Sequence, residues 1–141
     1  ESGKDWIHVQ MEKRCRPIPN IVTAPFPGFS TDLQSALMAV LSTADGISFV
    51  EEKIFEARFQ IVPELVKMGA SIVNQDSFAL IEGVRRLSGA KVQARELRGG
   101  AGLIMAALAA EGETVMEGME YVRRGYEDIK GDLKSLGIVI Y

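Results

Sequence analysis

Ala24-Pro25-Phe26-Pro27-Gly28-Phe29-Ser30-Thr31-Asp32-Leu33-Gln34-Ser35-Ala36-Leu37-Met38-Ala39-Val40-Leu41 sets the organisation of this chain. Pro25 and Pro27 hold the approach extended, because proline fixes φ and disfavours helix in the residue before it. Ser30, Thr31 and Asp32 then offer cap oxygens. Leu33, Ala36, Leu37, Val40 and Leu41 follow at helical spacing, which predicts a helix that starts beside Asp32. The Asp32 carboxylate thus faces whatever lies in front of that helix end. Spacing alone leaves two roles open to it: a helix cap, or a general base at the mouth of a cleft.

Working outward, Trp6 to Met11 alternates like a half-buried strand, and Lys13 to Pro19 reads as a basic, proline-broken connector. Asn20 to Thr23 is a short strand that leads into the opening stretch. Asp45-Gly46 stops the first helix, and Ile47 to Val50 resumes as a strand. A second helix is expected over Ile61 to Met68, with Pro63 in its first turn and Gly69 at its end. Strands over Ala70 to Val73 and Ser77 to Ile81 flank a turn at Asn74-Gln75-Asp76. Ser88-Gly89 marks a further turn, and Lys91 to Ala94 a short strand.

The pattern then recurs. Leu97 to Gly102 opens an apolar helix over Leu103 to Ala110, which Glu111-Gly112 closes. A strand over Glu113 to Met116, a helix that ends at Leu136-Gly137 and a strand over Ile138 to Tyr141 follow. Ala44-Asp45-Gly46 matches Ala110-Glu111-Gly112, and Arg58 matches Arg124. Glu64-Leu65-Val66-Lys67-Met68-Gly69 matches Asp132 to Gly137 after a small insertion, and Asp32 corresponds to Arg98. The expected fold is α+β (mixed α/β), with a repeated strand–helix–strand–helix–strand–strand unit. About residues 1–23 would close a preceding unit, 24–90 form one full unit, and 91–141 form most of a second.

The 141 residues suffice for a real core, and 47% hydrophobic with 25% charged residues is ordinary for a globular protein. A net charge of −3 supplies no general attraction to nucleic acid or anionic membranes. No apolar run approaches the ~20 residues of a membrane span, and Glu1 to Asp5 does not read as a signal peptide. One cysteine (Cys15) and one histidine (His8) exclude a disulfide framework and make a His/Cys zinc site within this chain untenable. The expectation is a cytoplasmic protein without metal or organic cofactor.

Several residues carry candidate chemistry. The glycine-rich helix start at Arg98 to Gly102 suits an anion, since free N–H groups and the helix dipole favour negative charge; small residues there also permit close helix packing. Arg124, with Arg123 beside it, offers a planar fork for carboxylate or phosphate, or is simply a solvated charge. Glu96 is placed to pair with an arginine or to transfer a proton. Neither His8 nor Cys15 has a partner that would activate it, and the methionines read as core filler.

Pro27-Gly28-Phe29-Ser30-Thr31-Asp32-Leu33-Gln34, Phe55-Glu56-Ala57-Arg58-Phe59, Pro63-Glu64-Leu65, Leu87-Ser88-Gly89-Ala90, Glu96-Leu97-Arg98 and Arg124-Gly125-Tyr126-Glu127 together resemble the UDP-N-acetylglucosamine enolpyruvyl transferases. These enzymes open peptidoglycan synthesis. The sister family, 5-enolpyruvylshikimate-3-phosphate synthase, is similar in architecture, but Phe55 to Phe59 favours the UDP-sugar enzymes. The resemblance implies two domains, each an inside-out α/β barrel of three such units, of which this chain is the later part of one. It would then lack the other domain, with its loop cysteine and its phosphoenolpyruvate-binding lysine and arginine, and be inactive alone.

By the same resemblance Asp32 takes the 3′-hydroxyl proton of UDP-N-acetylglucosamine. Ile54 contacts the sugar nucleotide through its backbone, and Arg98 and Arg124 hold phosphoenolpyruvate. Glu96 stands where the family motif has Asp, Ala57 where it has Asn, and Tyr121 where it often has His. The rival class is a non-catalytic module that binds an anion or a partner through the cleft.

Overall fold

Two short parallel strands, Ile21–Val22 (β1) and Ile47–Glu51 (β2), are bridged by an α-helix, Gln34–Leu41 (α1), in a computed structural model that describes residues 1–141. A parallel pair requires such a crossover, so the helix spacing of the opening stretch dictates the pairing of the strands around it. A 3₁₀ turn at Arg58–Ile61 leads into a second helix, Val62–Lys67 (α2), with Pro63 in its first turn. The hairpin Ser71–Gln75 (β3) and Phe78–Glu82 (β4) then returns, with β4 antiparallel to β2, giving the order β1-β2-β4-β3.

The second half shows only the parallel strand–helix–strand part of this arrangement, in two two-stranded sheets. Leu87–Ser88 (β5) and Lys91–Gln93 (β6) precede Leu97–Ala109 (α3), Ala110–Glu111 (β7) and Val115–Glu117 (β8). β6 lies parallel to β8 and β5 parallel to β7, again with a helix crossing between them. Met119–Val122 (α4) and Ile129–Ser135 (α5) follow. Gly69 and Gly137 end α2 and α5 with φ of 88° and 84°, the left-handed cap that glycine adopts without penalty.

Met38, Leu41, Leu65, Met68, Ile81, Leu87 and Leu103 form the fully buried centre, where α1 and α2 pack on the sheet and α3 packs on α1. The buried side of α1 matches its apolar spacing only in part: Leu41 is buried and Leu37 packs against the core, but the side is shifted towards Ser35 and Ala39. Ser35, Met38, Ala39 and Leu41 are buried, whereas Leu33 and Val40 are exposed. The reason is that α1 packs on α3 as well as on the sheet, and the α3 contact selects small groups.

α3 starts at Leu97, so the glycines lie inside it rather than ahead of it. A Cβ on Gly102 would meet Ser35 O at 2.8 Å and Ile61 Cδ1 at 2.7 Å; one on Gly100 would meet Val122 Cγ2 at 2.5 Å. The glycines therefore serve the close approach of α3 to α1 and α4.

Other expectations are corrected. Trp6 to Met11 forms no strand, making only an isolated Ser2–Ile7 bridge, and its apolar side chains stay exposed. Ile138 to Tyr141 is likewise not a strand. In both places no neighbouring strand is present to take the backbone hydrogen bonds, and alternation without a ladder does not hold a strand. The β3–β4 turn is tighter than expected, because Asn74 and Gln75 pair with Ala79 and Phe78 and only Asp76-Ser77 turns. Asp76 adopts φ 50°, a conformation aspartate tolerates.

The basic connector works as a clasp. The Arg14 guanidinium donates to Thr43 O at 3.0 Å, Gly83 O at 2.8 Å, Val84 O at 3.1 Å and Ala44 O, and pairs with Asp45. It thereby ties the residues before β1 to the end of α1 and to the exit of β4. No helix is long and apolar enough to cross a membrane.

Glu64 on α2 is buried, accepting from Lys67 Nζ at 2.7 Å and Gln93 N at 3.0 Å. Burial pushes its carboxyl up, but those hydrogen bonds and the charges of Lys67 and Arg95 outweigh this and hold it below the usual range. A depressed folded pKa adds stability above the unfolded value of about 4.3, and that stability is lost as pH falls through the folded value. The melting temperature should therefore fall below about pH 4, and Glu64→Gln should show a shallower acid limb in a pH series of thermal melts.

Candidate functional site

The close packing of Gly102 on Ser35 sets the first turns of α1 and α3 side by side. The 3₁₀ turn Thr31–Leu33 enters α1, and its cap is Ser30, whose Oγ accepts from Asp32 N at 3.3 Å. Asp32 is therefore not the cap. Its half-exposed carboxylate instead reaches across to α3, with Oδ1 at 3.0 Å from Arg98 Nε.

Between the two helix starts stands Arg58, its side chain only 13% exposed. Nη2 lies 3.5 Å from Asp32 Oδ1, Nη1 lies 3.6 Å from Glu96 Oε2, and Nε donates to Thr31 Oγ1 at 3.3 Å. The guanidinium also lies 4.8 Å from the Phe55 ring centroid, a cation–π contact. Two arginines and two carboxylates thus alternate across the groove: Arg98, Asp32, Arg58, Glu96.

Glu96 fills the place read as an open anion site. Its carboxylate caps α3, accepting from Arg98 N at 2.8 Å and from Gly99 N. An anion bound there would have to displace an anionic side chain, so the α3 start is not a vacant cradle. The charge available to a ligand is the Arg98 side chain, 42% exposed.

Ile54 lies in the loop after β2, which with Asp76 and Ser77 lines a cleft of about 510 Å³ running from Glu52 to Phe59. The Ile54 N–H is already bound to Glu52 Oε1 at 2.7 Å, which leaves the Ile54 carbonyl for any outside partner. Arg124 is not brought into the four-residue cluster. It follows α4, makes no ion pair, and lies 5.5 Å from the Tyr121 ring centroid. The neighbouring Gly125 packs against Leu97, so Arg124 is anchored beside the start of α3 with its guanidinium unpaired.

Arg58 and Glu52 are the residues that sequence reasoning did not single out. Arg58 could have been found from its match to Arg124 in the internal repeat. For Glu52 the signal is alternation along β2: Ser48 and Val50 point inward, and the next inward position is Glu52.

Ala57 adopts φ 56° and ψ 27°, a left-handed conformation that costs a residue with Cβ about 1–2 kcal/mol and that asparagine tolerates better. Ala57→Asn is therefore expected to raise stability by about 0.5–1 kcal/mol in denaturant titration.

Comparison with known proteins identifies the family of the chain. A family model described as EPSP synthase (3-phosphoshikimate 1-carboxyvinyltransferase) matches residues 1–133. UDP-N-acetylglucosamine 1-carboxyvinyltransferase 2 of Caldanaerobacter subterraneus subsp. tengcongensis is 49% identical over 97% of this chain and 33% of its own length. UDP-N-acetylglucosamine 1-carboxyvinyltransferase of Xylella fastidiosa is 46% identical over 99% of this chain and 33% of its own length. This chain thus spans about a third of the length of these relatives. Among solved structures, the enolpyruvyl transferase NikO from Streptomyces tendae superposes with a TM-score of 0.82 at 31% identity, covering 90% of this chain and 29% of that one. EPSP synthase from Acinetobacter baumannii shares the fold, with a TM-score of 0.64 at 19% identity over 72% of this chain and 26% of its own. With the family model spanning nearly every residue, the chain belongs to the EPSP synthase (3-phosphoshikimate 1-carboxyvinyltransferase) family.

Proposed function

We propose that this chain is the C-terminal part of an enzyme that transfers the enolpyruvyl group of phosphoenolpyruvate to the 3′-hydroxyl of UDP-N-acetylglucosamine. That would place it in the cytoplasm, at the entry to peptidoglycan synthesis and hence to cell-wall growth and division. The observation that carries this reading is the Asp32 carboxylate, uncapped and half exposed, held 3.0 Å from Arg98 across two helix starts. The names of relatives at 46–49% identity favour UDP-N-acetylglucosamine over shikimate 3-phosphate as the acceptor.

In this reaction Asp32 accepts the 3′-hydroxyl proton as the sugar oxygen bonds to C2 of phosphoenolpyruvate, while C3 gains a proton. Loss of phosphate from C2 and of a proton from C3 then restores the double bond in the product ether. Arg98 and Arg124 hold the carboxylate and phosphate of phosphoenolpyruvate and stabilise the charge that develops. Arg58 holds Asp32 and Glu96 apart at fixed positions, and Ile54 offers its carbonyl to the sugar nucleotide. Residues 24–90 and 91–141 would be two units of one barrel domain, with about 1–23 closing another.

The test is phosphate release with both substrates. The 141-residue chain alone should give none, because the arrangement draws on a further domain. Grafted in place of the matching third of the Caldanaerobacter relative, it should support turnover. Phosphate release from the chain alone would overturn the partial-site reading. A graft that turned over shikimate 3-phosphate instead would move the assignment to the sister enzyme.

A further inference from the structure

We propose that Glu52 is a positioning residue for this site: through the Thr31 hydroxyl it holds the Arg58 guanidinium between the carboxylates of Asp32 and Glu96. The inference rests on the reading of the Asp32 site given above. Glu52 lies just past the end of β2 and is 4% exposed. Its Oε1 accepts from the Thr23 hydroxyl at 2.8 Å, from Ile54 N at 2.7 Å and from Phe55 N at 3.0 Å. Its Oε2 accepts from Thr31 Oγ1 at 2.8 Å.

Thr31 Oγ1 in turn accepts from Arg58 Nε at 3.3 Å. A hydroxyl that donates its one proton to a carboxylate keeps its lone pairs for an N–H, so the bridge has a single direction: guanidinium to hydroxyl to carboxylate. Burial pushes the Glu52 carboxyl up, but two N–H groups and two hydroxyls outweigh this and hold it below the usual range. It therefore stays an acceptor at neutral pH, as the bridge requires. Arg58 needs this third point. Its distances to Asp32 and Glu96, 3.5 and 3.6 Å, exceed those of strong charge-assisted hydrogen bonds, so neither carboxylate sets the plane of the guanidinium.

The internal repeat supplies the comparison. At the offset that matches Arg58 to Arg124, Gly118 stands for Glu52 and Leu97 for Thr31. The second copy closes its strand without a buried carboxylate, and its arginine has no ion pair. The loop after the strand can thus be closed without a glutamate. What the first copy adds is a fixed arginine, and what the second leaves is a free one.

Glu52→Gln separates the two functions of this carboxylate. The amide oxygen can keep the three donors on the Oε1 side, but the amide nitrogen then faces Thr31 as a donor. The Thr31 hydroxyl must turn its proton away and accept from both the amide and Arg58 Nε, so the guanidinium loses the carboxylate behind its acceptor and is held more weakly. Thr31→Val cuts the same link from the other end, and Thr31→Ser keeps it.

On the 141-residue chain, solvent exchange of the Arg58 Nε–H, followed by ¹⁵N NMR, should quicken by roughly 10-fold in Glu52→Gln and in Thr31→Val, but not in Thr31→Ser. In the grafted enzyme each of the first two should lower kcat by roughly 10-fold, with KM for both substrates within about twofold, and the double variant should be no worse than either single. Unchanged Arg58 exchange in Glu52→Gln overturns the proposal. So do additive losses, or a lower melting temperature with kcat intact, which mark a merely structural carboxylate. A graft without turnover before any substitution would count against the proposed reaction, while Arg58 exchange would still decide the bridge.

Discussion

Asp32→Asn in the grafted enzyme is expected to lower turnover by about 100-fold or more while changing stability by less than about 1 kcal/mol. The two effects separate because the structural work at this helix start belongs to other groups. Ser30 supplies the cap, and the Asp32 side chain is half exposed, so its pairs with Arg98 and Arg58 are screened by water. Asparagine keeps the size and one acceptor oxygen, which can still meet Arg98 Nε. It cannot take a hydroxyl proton. Single-turnover kinetics beside thermal melts would check both halves of this expectation. Near-normal turnover in Asp32→Asn would remove the base from the proposed mechanism.

Arg98→Lys forms the contrast: charge is kept and the planar fork lost, so KM for phosphoenolpyruvate should rise by more than KM for the sugar nucleotide.

Gly102→Val should have the largest effect on the fold, a loss of about 3 kcal/mol. The added Cβ alone would meet the Ser35 carbonyl at 2.8 Å and Ile61 Cδ1 at 2.7 Å, and the carbonyl belongs to a helix backbone that cannot step aside. Relief comes only from moving α1 away from α3, which carries Asp32 away from Arg98. Turnover in the grafted enzyme should therefore fall together with stability. Met105→Val, on the exposed side of the same helix, controls for the propensity cost of a β-branched residue, about 0.5 kcal/mol. If Gly102→Val destabilised no more than Met105→Val, helix contact would not be what sets the two starts together.

Much of this arrangement is written locally in the chain. Proline-glycine punctuation followed by cap residues and an apolar run is enough to place a helix start beside Asp32, because backbone dihedrals and capping act within a few residues. Gly69 and Gly137 mark helix ends for the same local reason. The matched offsets of Ala44-Asp45-Gly46 and Ala110-Glu111-Gly112, and of Arg58 and Arg124, expose a repeated element order that the parallel pairs β1–β2 and β6–β8 display. The residues quoted for the family resemblance span most of the chain, and the family match covers residues 1–133.

Other features depend on which elements meet. Trp6 to Met11 and Ile138 to Tyr141 carry strand-like patterns without strands to pair with, and a ladder needs a partner. Which side of α1 is buried depends on α3 lying against it. Which oxygen caps a helix depends on competition: Ser30 takes the turn before α1, and Glu96 turns back onto α3 and closes the anion site that its glycines suggested. The sequence by itself determined the start of α1 beside Asp32 and the correspondence of an acid with an arginine at matched offsets, since these follow from short-range stereochemistry and from the sequence pattern alone. Only the tertiary structure decided that Arg58 stands between Asp32 and Glu96, that Glu52 is buried behind it, and that Arg124 remains unpaired. Those facts arise where side chains distant in sequence share one small volume, and neither spacing nor composition encodes which of them occupies it.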